Sequence, residues 1–184
     1  MKILKWIGII VALLVVVFLA VGLVTPEFSY ESKVTVNAPA EFAFEVFMDG
    51  SKMKEWISSL ESIENISGAE REIGSKWKLT FDENGEKIEI LETATAYEPN
   101  KRYAFDVETE PFLGNIDIRF TALDSMTTEI KAVSFMSGKN ILWKSVLALS
   151  KSTIEERSQE QYETLKNVIE TDFKNRKAEM ISEN

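Results

Sequence analysis

The 184 residues contain no cysteine and no histidine. Those two absences exclude a disulfide, a zinc-finger site, a cysteine nucleophile and a Ser-His-Asp triad. General acid-base chemistry is left to Asp, Glu, Lys or Tyr. Lack of cysteine is compatible with an oxidising exterior and equally with a cytosol. Basic charge is also in deficit. Lys2 and Lys5 are the only charges before Glu27; all 30 acidic residues and the other 19 basic ones follow, so that part carries a formal −11 against −9 for the whole chain. A basic surface for nucleic acid is not expected. No segment repeats at a fixed period.

What the sequence does have is one long apolar run. From Trp6 to Val24 no charge occurs, and 19 residues of helix span about 28 Å, close to the hydrocarbon thickness of a bilayer. A secretory signal usually has a shorter apolar stretch followed by a small-x-small site; the best such site here, Ala20-Val21-Gly22, is still inside the run. Residues 1–26 are therefore expected to be an uncleaved signal anchor, with a cleaved signal peptide and a buried core helix as the alternatives. Lys2 and Lys5 precede the run and Glu27 and Glu31 follow it, which predicts a single-pass protein of the cell membrane with its N-terminus in the cytoplasm and the remaining domain outside.

Beyond Glu27 the pattern turns to alternation. Phe28 to Val36 reads as a strand, Asn37 is placed to cap the next helix, Pro39 suits its first turn, and Phe42, Val46 and Phe47 share a helical face. A second short helix carries Met53, Trp56 and Ile57. Trp77, Leu79 and Phe81 then alternate with polar residues, and Asn84-Gly85 predicts a two-residue hairpin into Lys87 to Ile90. Further strands are read at 102–107, 115–120 and about 127–135. From about Asn140 the apolar residues recur at helical spacing, from Trp143 through Leu147, Ile154 and Leu165 to Phe173. Ser150, Ser158 and Gln161 interrupt that stripe, which reads either as an imperfect stripe or as a stretch facing a cavity.

The order is thus strand, two short helices, about six antiparallel strands and one long helix, an α+β pattern in which a curved sheet can wrap around the last helix. Domain boundaries are expected at 1–26 for the anchor, 27–174 for the α+β domain and 175–184 for a polar tail. Over roughly residues 28–170 the chain resembles the START-like, helix-grip (SRPBCC) superfamily, in particular its polyketide cyclase/dehydrase and lipid-transport group. The residues carrying the likeness are Val34-Thr35-Val36-Asn37-Ala38-Pro39-Ala40, Val46-Phe47 with Asp49, Trp56, Gly68 with Gly74-Ser75-Lys76-Trp77, Ala96 to Tyr103, and Leu165-Lys166. It implies a helix-grip fold whose concave sheet face and long helix enclose an apolar pocket.

On that expectation Trp77, Phe81, Phe105, Phe120 and Trp143 supply apolar lining, with Ser150 and Ile154 on the covering helix. Glu92, Tyr97, Asp106, Asp117 and Arg119 are the polar residues that can project inward, and alternation alone does not fix the face of any one. Two bland features are set aside. Gly68 to Lys76 has five residues between its glycines and Ser before Lys, so it is no phosphate loop. Glu155, Glu156, Glu160 and Glu163 form a solvated helix face, and no metal site or cofactor is expected. The leading function is a membrane-anchored module, attached through residues 6–24, that binds a hydrophobic small molecule or lipid without chemistry of its own. The alternatives are a polyketide cyclase or dehydratase-like enzyme, which would need a cavity carboxylate, Tyr or Lys with a shifted pKa, and a protein-interaction domain with a closed interior.

Overall fold

The computed structural model describes residues 2–182. Helix α1 (Lys2–Val24) is followed by strand β1 (Glu27–Val36), helices α2 (Ala40–Met48) and α3 (Met53–Trp56), and strands β2 (Leu60–Ser67), β3 (Lys76–Glu83), β4 (Glu86–Glu98), β5 (Arg102–Glu108), β6 (Phe112–Ala122) and β7 (Thr128–Gly138); helix α4 (Ile141–Ser182) ends the described chain. The strands form one antiparallel sheet in the order β1-β7-β6-β5-β4-β3-β2. Six successive strands from β2 to β7 pair with their chain neighbours, and β1 closes the far edge against β7.

Local chemistry explains the punctuation. Asn84 and Gly85 both take positive φ, 58° and 90°, the pair of left-handed residues that a tight hairpin turn matching strand twist requires. β4 carries an irregularity between Ala94 and Ala96, and β2 carries two; such bulges bend a strand and help the sheet curve. Asn37 departs from its expected role. The residue at the N-cap of α2 is Pro39, and Asn37 instead donates from Nδ2 to the Glu170 carboxylate of α4 at 2.8 Å. The side chain thus ties the sheet-to-helix corner to α4 rather than capping α2.

The core collects where α2 meets the inner sheet face. Phe44 and Phe47 pack their rings against Phe120 at centroid distances of 5.2 and 5.4 Å. Ile118, Ile130, Leu165 and Ile169 are fully buried beside them, each contributing about 1.5–3 kcal/mol by leaving water. α4 does not stop at residue 174. No Gly or Pro follows Phe173, and the helix runs unbroken to Ser182, with Arg176 forked onto Glu45 of α2 at 3.0 and 3.2 Å. Residues 175–182 are therefore helix, and the remainder of the expected tail lies outside the described residues.

From Ile3 to Val24, α1 is long and apolar enough to cross a membrane. Nearly all of its side chains face outward, so the segment is not a buried core helix; only its last turns reach the domain, where Gly22 is buried against the start of α4.

Candidate functional site: a lined cavity under the long helix

Between α4 and the inner face of the sheet lies a cavity of about 400 Å³, within the size range of small-molecule sites. Strand periodicity builds its floor, because residues two apart share a face: Leu79 and Phe81 on β3, Ile90 and Glu92 on β4, Tyr103, Phe105 and Val107 on β5, Ile116 and Ile118 on β6. Tyr30 of β1 lines the same space. Strands from opposite reaches of the sheet thus face one void, which is what the curvature accomplishes. α4 closes it with Leu147, Ile154, Arg157, Ser158, Gln161 and Tyr162. The gap in the apolar stripe is accounted for: Ser158 and Gln161 look into the void, and Ser158 Oγ also shares a 2.8 Å hydrogen bond with Ser32 Oγ of β1.

Of the expected lining residues, Phe81, Phe105 and Ile154 border this cavity. Trp77 does not; it lines an adjoining pocket of about 80 Å³ toward Met48 and Ile63, whose other walls include Glu92 and Tyr103. Phe120 is on the inner face as read, but α2 covers that part of the sheet and takes the ring into the core. Trp143 sits in the first turn of α4, beside Gly138 at the end of β7, is about a third exposed and does not border the cavity. Ser150 is half-buried on the flank of the stripe and borders no part of the cavity. These placements correct the expectation for Trp77, Phe120, Trp143 and Ser150.

Among the five polar candidates only Glu92 borders the cavity. Tyr97 packs on Phe44 at 5.9 Å, Asp106 accepts a 2.8 Å bond from Asn115 Nδ2, and Asp117 on the outer face is gripped by Arg102 at 2.9 and 3.0 Å, with Arg119 alongside. Glu92 lies between the cavity and the adjoining pocket, and loss of hydration there pushes its carboxyl up to about 7. A single group opposes that: Tyr103 Oη donates to Glu92 Oε1 at 2.6 Å. Burial, and then the neighbouring carboxylate, push the Tyr103 phenol well above its ordinary range. The pair can therefore hold or pass one proton near neutral pH. Another wall residue, Trp56, is 5% exposed and its indole N–H finds no acceptor among the described residues. Among the described residues no group of three or more carboxylates converges as a metal site.

Residues 27–170 match the family described as polyketide cyclase/dehydrase and lipid transport. The chain belongs to that family. Within the START-like superfamily its helix-grip architecture is shared with many solved structures. The Zhui aromatase/cyclase from Streptomyces sp. R1128 superposes with a TM-score of 0.65 at 17% identity, covering 78% of this chain and 94% of that one. Ara h 8.0201 gives 0.63 at 17% identity, with 78% and 97% covered. A START superfamily protein from Mycobacterium smegmatis gives 0.60 at 13% identity, with 80% and 97% covered. At such identities the likeness is one of fold. No curated protein matches the chain. The family match leaves out α1, whose apolar run precedes the matched residues.

Proposed function

We propose that this family member is a membrane-anchored binding module that holds a hydrophobic small molecule or lipid in the cavity under α4, with Phe81, Phe105 and Ile154 among the contacts. The observation that carries the reading is the void itself. About 400 Å³ bordered mainly by apolar and aromatic side chains is unfavourable to leave empty and poor at holding water, which needs several polar partners. An interior of that size is also not the closed one that a purely surface-acting domain would have. Attachment is supported by α1 and by the start of α4, where Ile141, Leu142, Trp143 and Leu149 are exposed beside the end of α1 with Lys144 and Lys151 among them. Apolar residues with flanking lysines and a Trp suit a bilayer surface. Lys2 and Lys5 ahead of the apolar run support an outer position for the domain.

The test is extraction of ligand from the full chain, purified and reconstituted in discs of one synthetic phospholipid. Recovery of a bound apolar molecule other than the disc lipid is the expected result. Preparations that carry none, and that take up no added alkyl probe, would overturn the reading.

A second reading, proton-transfer chemistry of the cyclase or dehydratase kind, is favoured by the Glu92–Tyr103 pair. If it holds, Glu92→Gln abolishes turnover of a polyketone substrate while leaving retention of apolar molecules intact; unchanged turnover would remove Glu92 from any such role.

A further inference from the structure

The cavity has two charged residues in its wall, and they are differently placed. Glu92 comes from β4 and is deep; Arg157 comes from α4 and is the one exposed residue of the lining. Arg157 therefore marks the mouth. Of the five arginines in the chain, Arg71, Arg102, Arg119 and Arg176 each engage a carboxylate. Arg157 has no ion-pair or hydrogen-bond partner among the described residues, although Glu156 and Glu160 lie close along the same helix. In a domain with a surplus of carboxylates an arginine left without one is conspicuous. Its guanidinium offers five N–H donors in a planar fork.

The polar neighbours extend the pattern. Gln161 follows one helical turn after Arg157, and Ser158 is adjacent; both line the cavity. At the other end Glu92 lies four strands from β1 in the sheet order, about 19 Å along the sheet at the usual strand spacing. There the Tyr103 hydroxyl is already committed to Glu92, and a second anion would face a carboxyl across an apolar wall. An anionic group is thus disfavoured at the inner end and favoured at the mouth.

Resting on the reading of an apolar occupant, we propose that the ligand is an amphiphile with one anionic end, a carboxylate or a phosphate, held at the mouth by Arg157 with Gln161 and Ser158, its apolar body pointing inward toward Phe105 and Glu92. The domain's overall negative charge does not defeat this. At physiological salt charges beyond about 8 Å are largely screened, whereas a guanidinium in contact with the anion is not.

The test is isothermal titration of the full chain in discs of neutral phosphatidylcholine, with empty discs subtracted, using decanoate, decyl phosphate, decanol and decyltrimethylammonium as probes. Decanoate or decyl phosphate should bind about tenfold more tightly than decanol, as expected for charge-assisted bonds at a half-exposed site, and decyltrimethylammonium should bind least. Arg157→Gln should erase the anion's advantage, bringing decanoate to within about twofold of decanol, and Arg157→Lys should keep part of it. Which of the two anions gains more distinguishes a fatty-acid-like from a phospholipid-like occupant. Decanol binding as tightly as decanoate, or Arg157→Gln weakening both alike, would overturn the inference and leave the apolar cavity standing. If no alkyl probe binds at all, the failure lies with the binding reading itself.

Discussion

Replacing Glu92 by Gln should make the protein more stable, and increasingly so as the pH rises. In the folded chain the Glu92 carboxyl titrates at about 7 rather than near its ordinary 4.5, because burial penalises the charged form. The folded state therefore holds a proton that the unfolded state has released between those two values. Stability falls as pH rises through this window, the reverse of the usual salt-bridged carboxylate. Integrating the linkage, ionisation costs about 1 kcal/mol at pH 5 and about 3 kcal/mol at pH 8, a change of roughly 2–3 kcal/mol. Gln is neutral throughout, nearly isosteric, and still offers Tyr103 an acceptor. For a chain of this length the change corresponds to about 5–10 °C in melting temperature. The assay is thermal unfolding of the wild type and Glu92→Gln, both full-length in neutral discs, at half-unit steps from pH 5 to 8. The two curves should diverge steadily, the variant melting higher at pH 8. Parallel curves would refute the placement of an uncompensated carboxyl in the cavity.

Three further outcomes follow from the geometry. Ile154→Trp should fill the cavity and abolish alkyl-probe binding with less than about 1–3 kcal/mol of overpacking penalty, whereas Ser150→Trp, off the cavity, should leave binding intact; equal loss in both would mean that the ligand sits elsewhere. Leu165→Ala, at a fully buried position, should cost about 2–5 kcal/mol and lower the melting temperature sharply, and a change within error would contradict its place in the core. Alkaline phosphatase fused after Asn184 should be active in a bacterial host, and exchanging Lys2 and Lys5 for Glu with Lys added after Pro26 should weaken or invert that result; an inactive unmodified fusion would place the domain in the cytoplasm.

The fold was legible because its signals are local. Alternation in β3, β5 and β6, the Asn84-Gly85 turn and the helical stripe after Asn140 each act over a few residues, and their order leaves few architectures. The site was legible only in part. Alternation correctly put Trp77 and Phe120 on the inner face, but which stretch of that face stays open depends on where α2 and α3 settle, a tertiary matter. Ser158 and Gln161 carried a readable sign, small or polar residues where a packed stripe wants large ones. Ser150 gave the same sign falsely, since it sits on the stripe's flank. For Trp143 no signal told that the first turn of α4 lies at the end of β7, off the cavity. Glu92 stood among five polar candidates that pattern could not separate, because an inward carboxylate in a strand looks like any other alternating residue. Arg157 gave no sign at all; its lack of a partner exists only once the other four arginines have theirs.

The close crossing at Gly22 makes α4 a mechanical element. A Cβ there would run into Ser145 Oγ and fall 2.6 Å from the Ser145 backbone nitrogen and 2.8 Å from the Ile141 carbonyl oxygen, so the helices cross too closely for any side chain at position 22. At its other end α4 is pinned, by Glu45 on Arg176 and by Asn37 on Glu170. Between those ends α4 is tied to β1 by Ser158 on Ser32 and by Gln159 on Lys33, so a push at its start is taken up in the first turns, where Ile154 lies about 13 Å along the rod from Ser145. When a bilayer thins, a spanning helix tilts to keep its apolar length covered. On the proposed reading of α1 as a membrane span, its tilt would reach the cover of the cavity as displacement.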